Sequence, residues 1–255
     1  MNPAEFANIA KAEEDFWWYR GMREITFRIL DPIVAGRPIR TVLEIGAGTG
    51  FFSRCLERRY QWKLFPLDLG WEGLQLGRKM GIANMVQADM RRLPYEGETF
   101  DAVISMDVLV HMPRGEEHVP MQEMARVLRP GGLLAMRLSA LDVLRSRHSI
   151  FAHERQRFAR GRLRKCVESL GMRVIRCTYA NSLLLPVALA KFRVWEPLTR
   201  QAPASGVRMA HPFLNRLLEL PLRLEARWLA RGGGFPIGQS LFLMAEKPQG
   251  TLPHY

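Results

Sequence analysis

The stretch Thr41-Val42-Leu43-Glu44-Ile45-Gly46-Ala47-Gly48-Thr49-Gly50 decides the fold of this chain. Its apolar first half predicts a short buried β-strand, and Phe51–Arg58 behind it has the pattern of an α-helix. Three glycines at alternate positions join the two, permitting a tight turn and letting a ligand lie against the backbone. A strand, a glycine turn and a helix form the first half of a nucleotide-binding α/β unit.

The spacing of the glycines and of one acid narrows the class of ligand. The turn reads G-x-G-x-G, not the G-x-G-x-x-G of dinucleotide-binding folds. Glu44 stands two residues before the first glycine, where a carboxylate accepts from an ammonium or hydroxyl group but repels a pyrophosphate. Free N–H groups at the helix start suit a polar or anionic group. Together these features favour a cationic nucleoside without phosphate.

The remaining periodicity predicts a doubly wound, mostly parallel seven-stranded α/β sheet with helices on both faces. The other strand candidates are Lys63–Asp68, Asn84–Ala88, Phe100–Met106, Leu133–Leu138, Met172–Tyr179 and Gln239–Glu246. Helices are predicted over Trp71–Met80, Glu116–Leu128 and Leu163–Leu170. Pro66 is awkward within the second strand, because proline cannot donate to a strand ladder. Ligands bind at the carboxyl ends of such strands, where Gly46, Asp68, Asp89 and Asp107 fall.

The chain divides into three parts. Residues 1–37 form a helical arm, residues 38–181 and 235–248 form the α/β core, and residues 182–234 form a helical insertion before the last strand. In the arm, apolar and aromatic residues fall on helical spacing with three arginines, Arg20, Arg23 and Arg28, between them. The apolar and aromatic residues are Phe16, Trp17, Trp18, Tyr19, Met22, Ile25 and Ile29. The arm is either a helix packed on the core or a lid over the ligand.

Five segments, in order, resemble the motifs of class I S-adenosylmethionine-dependent methyltransferases of the small-molecule type, including those of quinone biosynthesis. The segments are Glu44–Gly50, Asp68, Gln87–Met90, Phe100–Val103 with Asp107–His111, and Val127–Gly132. The resemblance implies a Rossmann-like fold, S-adenosylmethionine as cofactor and S-adenosylhomocysteine as product. The arm segment Phe16–Arg23 also resembles the start of many bacterial methyltransferases of unassigned substrate.

The resemblance also implies a set of cofactor-binding residues. Asp68 matches the acid that holds the ribose in that family, and Asp89 matches the acid that meets the adenine amino group. In the arm, the aromatic face of Trp18 would favour the sulfonium cation, and Arg20 would meet the cofactor carboxylate. The full expected set is Trp18, Arg20, Glu44, Gly46, Ala47, Gly48, Thr49, Gly50, Asp68, Leu69, Asp89, Met90, Met106, Asp107 and Val108.

Methyl transfer needs little chemistry from the protein, because the sulfonium is already a good leaving group. In-line positioning and exclusion of water supply much of the rate, and a base is needed only where the acceptor must lose a proton. His111 is the first candidate base, since it follows the fourth strand on the ligand side; His148 and His153 are second candidates. Each of the three could instead have a purely structural or solvated role. We expect no metal.

Composition leaves three classes of function in competition. The net charge of +12 suits nucleic acid, anionic lipid or an acidic small substrate. A small-molecule or lipid-type methyltransferase is favoured. An RNA or DNA methyltransferase is the alternative, but Asp107–Val110 differs from the Asn/Asp-Pro-Pro-Tyr type segment that holds a flipped base. The third class is a protein that binds the cofactor without methylating, or uses it for other chemistry.

The sequence says less about the cellular compartment of the protein and its oligomeric state. Met1–Lys11 lacks the apolar centre of a signal peptide, and the apolar run Leu183–Ala190 is too short to cross a membrane. Three cysteines without C-x-x-C spacing are typical of thiols in a reducing compartment, so we expect a cytoplasmic protein. The sequence does not decide which acceptor or atom is methylated, or whether helices 182–232 cap the site, pair subunits in a homodimer or contact a membrane.

Overall fold

One seven-stranded sheet organises the computed structural model, which describes residues 2–200, 202–207 and 211–249. Its strands are β1 (Thr41–Ile45), β2 (Lys63–Asp68), β3 (Val86–Gln87), β4 (Phe100–Met106), β5 (Leu128–Ser139), β6 (Arg173–Ala180) and β7 (Ser240–Glu246). Across the sheet the order is β3-β2-β1-β4-β5-β7-β6. Only β7 runs antiparallel to its neighbours. The predicted doubly wound, mostly parallel α/β fold is therefore confirmed.

Helices cover both faces of this sheet. They are α1 (Pro3–Ala12), α2 (Trp17–Val34), α3 (Phe51–Tyr60), α4 (Trp71–Lys79), α5 (His118–Val127), α6 (Arg147–Phe151), α7 (Arg160–Ser169), α8 (Leu185–Ala190), α9 (Glu196–Thr199) and α10 (Pro212–Ala230). Short 3₁₀ turns lie at Leu109–His111 and Asp142–Leu144, and a π-helical turn, Lys191–Trp195, joins α8 to α9. Buried side chains of α2, α3 and α10 pack on one face of the sheet, and those of α5 and α7 pack on the other.

Two strands differ from their predicted bounds by more than one residue. The third strand is only Val86–Gln87, because β3 pairs with β2 at Leu67 and Asp68 alone. The fifth strand begins at Leu128 instead of Leu133, because Leu128 pairs with Phe100 and the Gly131 amide donates to the carbonyl of Lys247. Helix α5 does end before the Arg-Pro-Gly-Gly segment, so that segment stops the helix and continues directly as strand.

Pro66 is accommodated because its nitrogen faces the open side of β2. The Lys63 amide donates to the carbonyl of Arg40 at the start of β1, and amides alternate sides along a strand. The nitrogen of residue 66 therefore points away from β1, toward the side where β3 pairs only with Leu67 and Asp68. The missing N–H thus costs no hydrogen bond in the sheet.

The predicted helical arm consists of two helices. Asn2 caps α1 by accepting a hydrogen bond from the Ala4 amide, and Pro3 occupies the first turn, where a missing N–H has no cost. Helix α2 then packs along α10. Gly21 allows this approach, because a Cβ built there would lie 2.3 Å from Cδ1 of Leu222. The arm and the insertion are therefore in direct contact over one face of the sheet.

Candidate functional site

A cavity of about 1210 Å³ lies at the carboxyl ends of β1, β2, β4 and β5. Most of the expected site residues line it: Trp18, Glu44, Gly46, Ala47, Gly48, Thr49, Asp68, Leu69, Asp89, Met90, Met106, Asp107, Val108, His111, His148 and His153. The structure does not place Arg20 or Gly50 in this lining. Gly50 instead caps α3 with a φ of +74°, and a Cβ there would lie 2.8 Å from Ile82.

Arg20 is placed away from the cavity by an ion pair. Its Nε lies 3.3 Å from the Glu219 carboxylate on α10, so the expected contact with the cofactor carboxylate is not supported by the geometry. Arg23, one turn further along α2, does line the cavity and donates to the carbonyls of Glu13 and Glu14. The pattern of alternating aromatic and basic residues did not distinguish these two arginines.

The glycine turn follows β1 and closes tightly against a neighbouring loop. The amides of Gly46 and Ala47 both donate to the Leu67 carbonyl, at 2.7 and 3.0 Å. Gly46 has a φ of +75°, and a Cβ built there would lie 2.1 Å from Val108 in the loop after β4. Glycine is therefore required here both by the left-handed backbone and by the approach of Val108.

Asp68 bridges two turns at the end of β2. Its Oδ2 accepts from the Gly48 amide and its Oδ1 from the Gly70 amide, both at 2.7 Å. Burial raises the pKa of this carboxyl, and the two amide bonds oppose that shift. Each oxygen keeps a second lone pair, and the side chain lines the cavity. Asp68 can therefore accept two further hydrogen bonds from a ligand diol.

The carboxylate of Asp89 is already bound by a neighbouring arginine, so it has fewer free acceptor sites than expected. Its carboxylate is held by the Arg91 guanidinium, with an Nη2–Oδ2 distance of 2.5 Å, and it also accepts from the Arg91 amide. Arg91 lowers the pKa of Asp89 and keeps it ionised. A ligand amino group at this point would share an acceptor that is already paired.

Glu44 is buried at the base of the cavity. It is 3% exposed, and the Ser53 hydroxyl on α3 donates to its Oε2. Burial raises the pKa of Glu44 to about 8. A cationic ligand placed beside such a carboxyl would favour its ionised form and be favoured in return.

Helix α1 covers the glycine turn through Phe6. The ring is 3% exposed and lies against Gly70 and Gly73, where an added Cβ would come within 2.3 and 2.7 Å of it. These two glycines therefore make room for the ring at the start of α4. Glu5 and Ile9 of the same helix also line the cavity, so α1 forms part of its wall.

Glu13, in the turn between α1 and α2, reaches the same place and was not predicted from the sequence. Its Oε2 accepts from the Thr49 hydroxyl at 2.6 Å, and its Oε1 is buried without a hydrogen-bond partner among the described residues. Burial raises the pKa of Glu13 from 4.5 to about 7. A buried, partly unpaired carboxyl in the cavity wall is a ready acceptor for an ammonium group.

Two of the three candidate histidines, His111 and His148, form hydrogen bonds through a ring nitrogen. Nδ1 of His111 lies 3.1 Å from the His153 carbonyl, which can only accept, so Nδ1 carries the proton and Nε2 keeps its lone pair. Burial lowers the pKa of His111 to about 4. In His148, Nδ1 accepts from the Gly206 amide at 3.0 Å. His153 lines the cavity and bonds His111 only through its backbone. The Nδ1 lone pair of His148 is therefore engaged, whereas Nε2 of His111 keeps its lone pair.

Beyond the glycine turn, two arginines that already form contacts with other residues line the cavity. Arg137 on β5 bonds Asp107 at 2.7 Å and lies 5.1 Å from the Trp18 ring centroid. Arg157 donates to the Ala140 carbonyl and the Ser149 hydroxyl. The sequence did not single out either arginine. No group of three or more His, Cys, Asp or Glu side chains in the described residues is arranged to hold a metal ion.

Comparison with known proteins identifies the core. A family model described as a methyltransferase domain matches residues 43–136, the span from β1 into β5. The chain is 30% identical over 149 residues to a ubiquinone biosynthesis O-methyltransferase of Hahella chejuensis, a match covering 51% of this chain and 61% of that protein. The chain carries a class I S-adenosylmethionine-dependent methyltransferase domain.

Two further similarities extend beyond this domain. The chain is 24% identical to the malonyl-[acyl-carrier protein] O-methyltransferase of Salmonella typhimurium, over 93% of this chain and 94% of that protein. A phosphoethanolamine N-methyltransferase of Haemonchus contortus, solved with S-adenosylmethionine, shares the fold with a TM-score of 0.55 at 18% identity, over 87% of this chain and 52% of that one. Some other curated relatives are matched over only about a third of their length.

The residues present fit the cofactor of this domain class, S-adenosylmethionine. Asp68 offers two free lone pairs to a ribose diol, and the glycine turn leaves open backbone beside it. Glu13 and Glu44 supply two buried carboxyls where a zwitterionic, cationic ligand would place its positive groups. When bound, the cofactor supplies an electrophilic methyl group on a sulfonium.

Asp68→Ala should weaken S-adenosylmethionine binding by about tenfold or more, because hydrogen bonds to a charged group are worth roughly 1.5–3 kcal/mol each. Asp89→Ala is the comparison variant, and it should cost less because Arg91 already occupies that carboxylate. Calorimetric titration of both folded variants checks the order. Equal affinity of Asp68→Ala and the parent protein would contradict the ribose assignment.

The raised pKa of Glu13 predicts a pH-dependent stability. The neutral carboxyl is favoured in the fold, so this stabilisation is fully present below about pH 4.5 and is lost as pH rises through about 7. Glu13→Gln keeps the acceptor for Thr49 but cannot ionise. At pH 8 it should be more stable than the parent by about 2 kcal/mol, and the difference should vanish near pH 4.5.

Urea unfolding of parent and variant at several pH values between 4.5 and 8 measures that difference. Glu14→Gln makes the same change one residue further on, at an exposed position. It should change the pH profile only slightly, because Glu14 is the smallest of the causes that act on the pKa of Glu13. A Glu13→Gln protein that tracks the parent at every pH would show that Glu13 is not buried against Thr49 in solution.

Proposed function

We propose that this chain transfers the methyl group of S-adenosylmethionine to a small, largely apolar acceptor, at oxygen, carbon or nitrogen. The size and lining of the cavity carry the proposal. It extends from the glycine turn to a region walled by Trp17, Trp18, Phe192 and Leu218, and a volume of about 1210 Å³ leaves room beside a nucleoside. An apolar pocket with a few polar groups suits an acceptor of the same character.

The relatives support an acceptor of this type without naming it. Both curated relatives described above are O-methyltransferases by name, so oxygen is the first atom to test. The paired Arg137 and Arg157 would orient a polar end of the acceptor, while the aromatic residues at the start of α2 would cover its apolar part. The unpaired thiols of Cys55, Cys166 and Cys177 support a reducing compartment such as a bacterial cytoplasm.

Transfer of labelled methyl groups tests the proposal. The purified chain is incubated with methyl-labelled S-adenosylmethionine and separate fractions of a bacterial extract: lipids, polar metabolites and total RNA. We expect label in the lipid or metabolite fraction, dependent on Asp68. Label confined to RNA would favour a nucleic-acid methyltransferase instead, and cofactor binding without any transfer would favour other chemistry.

His111 is proposed to remove the proton when the acceptor is a hydroxyl, phenol or carbon acid. Because its pKa lies near 4, the ring is neutral at physiological pH with Nε2 available. With the acceptor found above, His111→Ala should lower turnover by roughly a hundredfold and leave cofactor affinity nearly unchanged. His118→Ala, at the exposed start of α5, serves as the matched control. An unaffected rate would remove His111 from the mechanism.

A further inference from the structure

Helix α10 has two opposite apolar faces, and only one of them is buried. The inner face packs on α2 and the sheet through Leu222, Ala226 and Leu229. The outer face, called here the α10 apolar face, consists of six large residues, each at least 44% exposed: Phe213, Leu214, Leu217, Leu220, Leu224 and Trp228. At 3.6 residues per turn these six fall within an arc of about 120° and extend roughly 22 Å along the helix.

The charged residues of α10 are also divided between its two sides: the acids are buried and the arginines are exposed. Both of its acids are buried: Glu219 pairs with Arg20 and Arg223, and Glu225 accepts from the amides of Ser182 and Leu183. The exposed charged residues of the helix are Arg216, Arg223 and Arg227. On a helical projection these three arginines form a row along one flank of the α10 apolar face.

The segment that contains α8 and α9 also exposes apolar residues and carries mostly positive charges, as α10 does. Glu225 fixes the start of α8 to the middle of α10. Five apolar residues from just before α8 to the end of α9 are at least 50% exposed: Leu183, Val187, Val194, Trp195 and Leu198. The nearby charges Lys191, Arg193 and Arg200 are positive, and the one acid, Glu196, is 8% exposed and accepts from the Arg147 amide.

We propose that the α10 apolar face, together with the exposed apolar residues of α8–α9, binds the surface of an anionic lipid bilayer. An apolar face flanked by arginines is typical of helices that lie in the membrane interface, where anionic headgroups attract the cations. No helix in the described part of the chain is long and apolar enough to cross a membrane, so contact would be peripheral.

Charge disfavours an antiparallel pairing with a second copy of the chain at this face. Two α10 helices packed antiparallel, face to face, would bring the same flank of each together and so oppose the two arginine rows. Like charges at such a distance repel, whereas anionic headgroups would neutralise them.

The proposed surface also borders the cavity. Leu218 and Phe192 line the cavity, and each is next in sequence to a residue of the surface or its cations, Leu217 and Arg193. If the proposed function holds, an apolar acceptor would have a short path from the bilayer to the site. The lipid contact itself does not depend on methyl transfer.

Vesicle co-sedimentation tests the proposal on the full chain. We expect binding to vesicles of 30% phosphatidylglycerol in phosphatidylcholine, little binding to pure phosphatidylcholine, and release as salt is raised. Leu217→Ser/Leu224→Ser should lower the partition coefficient by about tenfold or more. Trp71→Ser, at an exposed residue of α4 beside the β2–β3 edge of the sheet, should bind like the parent.

A second pair of variants tests the charges. Arg216→Glu/Arg227→Glu should abolish the preference for anionic vesicles. Arg58→Glu/Lys165→Glu makes the same change in net charge at exposed positions on α3 and α7 and should reduce binding only slightly. Circular dichroism of each variant confirms that the fold is kept.

Three results would overturn the proposal. The first is equal binding of the parent to anionic and neutral vesicles, or none to either. The second is equal loss of binding in the α10 variants and their controls. The third is a dimer, seen by analytical ultracentrifugation, that dissociates in Leu217→Ser/Leu224→Ser; a second copy would then be the occupant. Because none of these readouts measures methyl transfer, failure here leaves the proposed function intact.

Discussion

The carboxylate of Asp68 is the interaction on which the site depends. By accepting from Gly48 and Gly70 it ties the turn after β1 to the turn after β2, two loops that belong to adjacent parallel strands. The glycine turn can take its left-handed backbone only because nothing but hydrogen atoms stands at Gly46 and Gly48. One side chain therefore fixes the loop geometry and still presents lone pairs to a ligand.

Three buried acids lie around this point, and their burial accounts for most of the local electrostatics. Burial is the main cause of the raised pKa values of Glu13, Glu44 and Asp68, and Glu44 is raised further by the other two. Such a cluster is unfavourable without a counter-charge. Arg23 and Arg54 offset part of the raised pKa of Glu13, and a positively charged ligand between the acids would favour their ionised forms further. This is the physical reason that the acids suit S-adenosylmethionine better than a phosphate-bearing nucleotide.

The features that could be predicted from the sequence are those that depend on residues close together in the chain. The strand–turn–helix unit, the acids at strand ends and His111 after β4 follow from periodicity and spacing within short windows. The sequence did not predict pairings between distant segments. Arg20 was expected in the site but pairs with Glu219 across the helical layer, while Glu13 reaches Thr49 from a turn that had no motif of its own. The break between α1 and α2 was missed as well; at this break Asn215 of α10 accepts from the Trp17 amide and donates to the Asp15 carbonyl.

Helix α10 packs against α2, which is distant from it in sequence, so that the two form one layer of helices. Its inner face meets α2 so closely that Gly21 can carry no side chain opposite Leu222, and Asn215 at its start accepts from the Trp17 amide. Trp17 and Trp18 are thereby held at the cavity wall by the same helix whose outer face is apolar and flanked by arginines. The exposed apolar face and the acceptor side of the site therefore belong to one packed layer of helices.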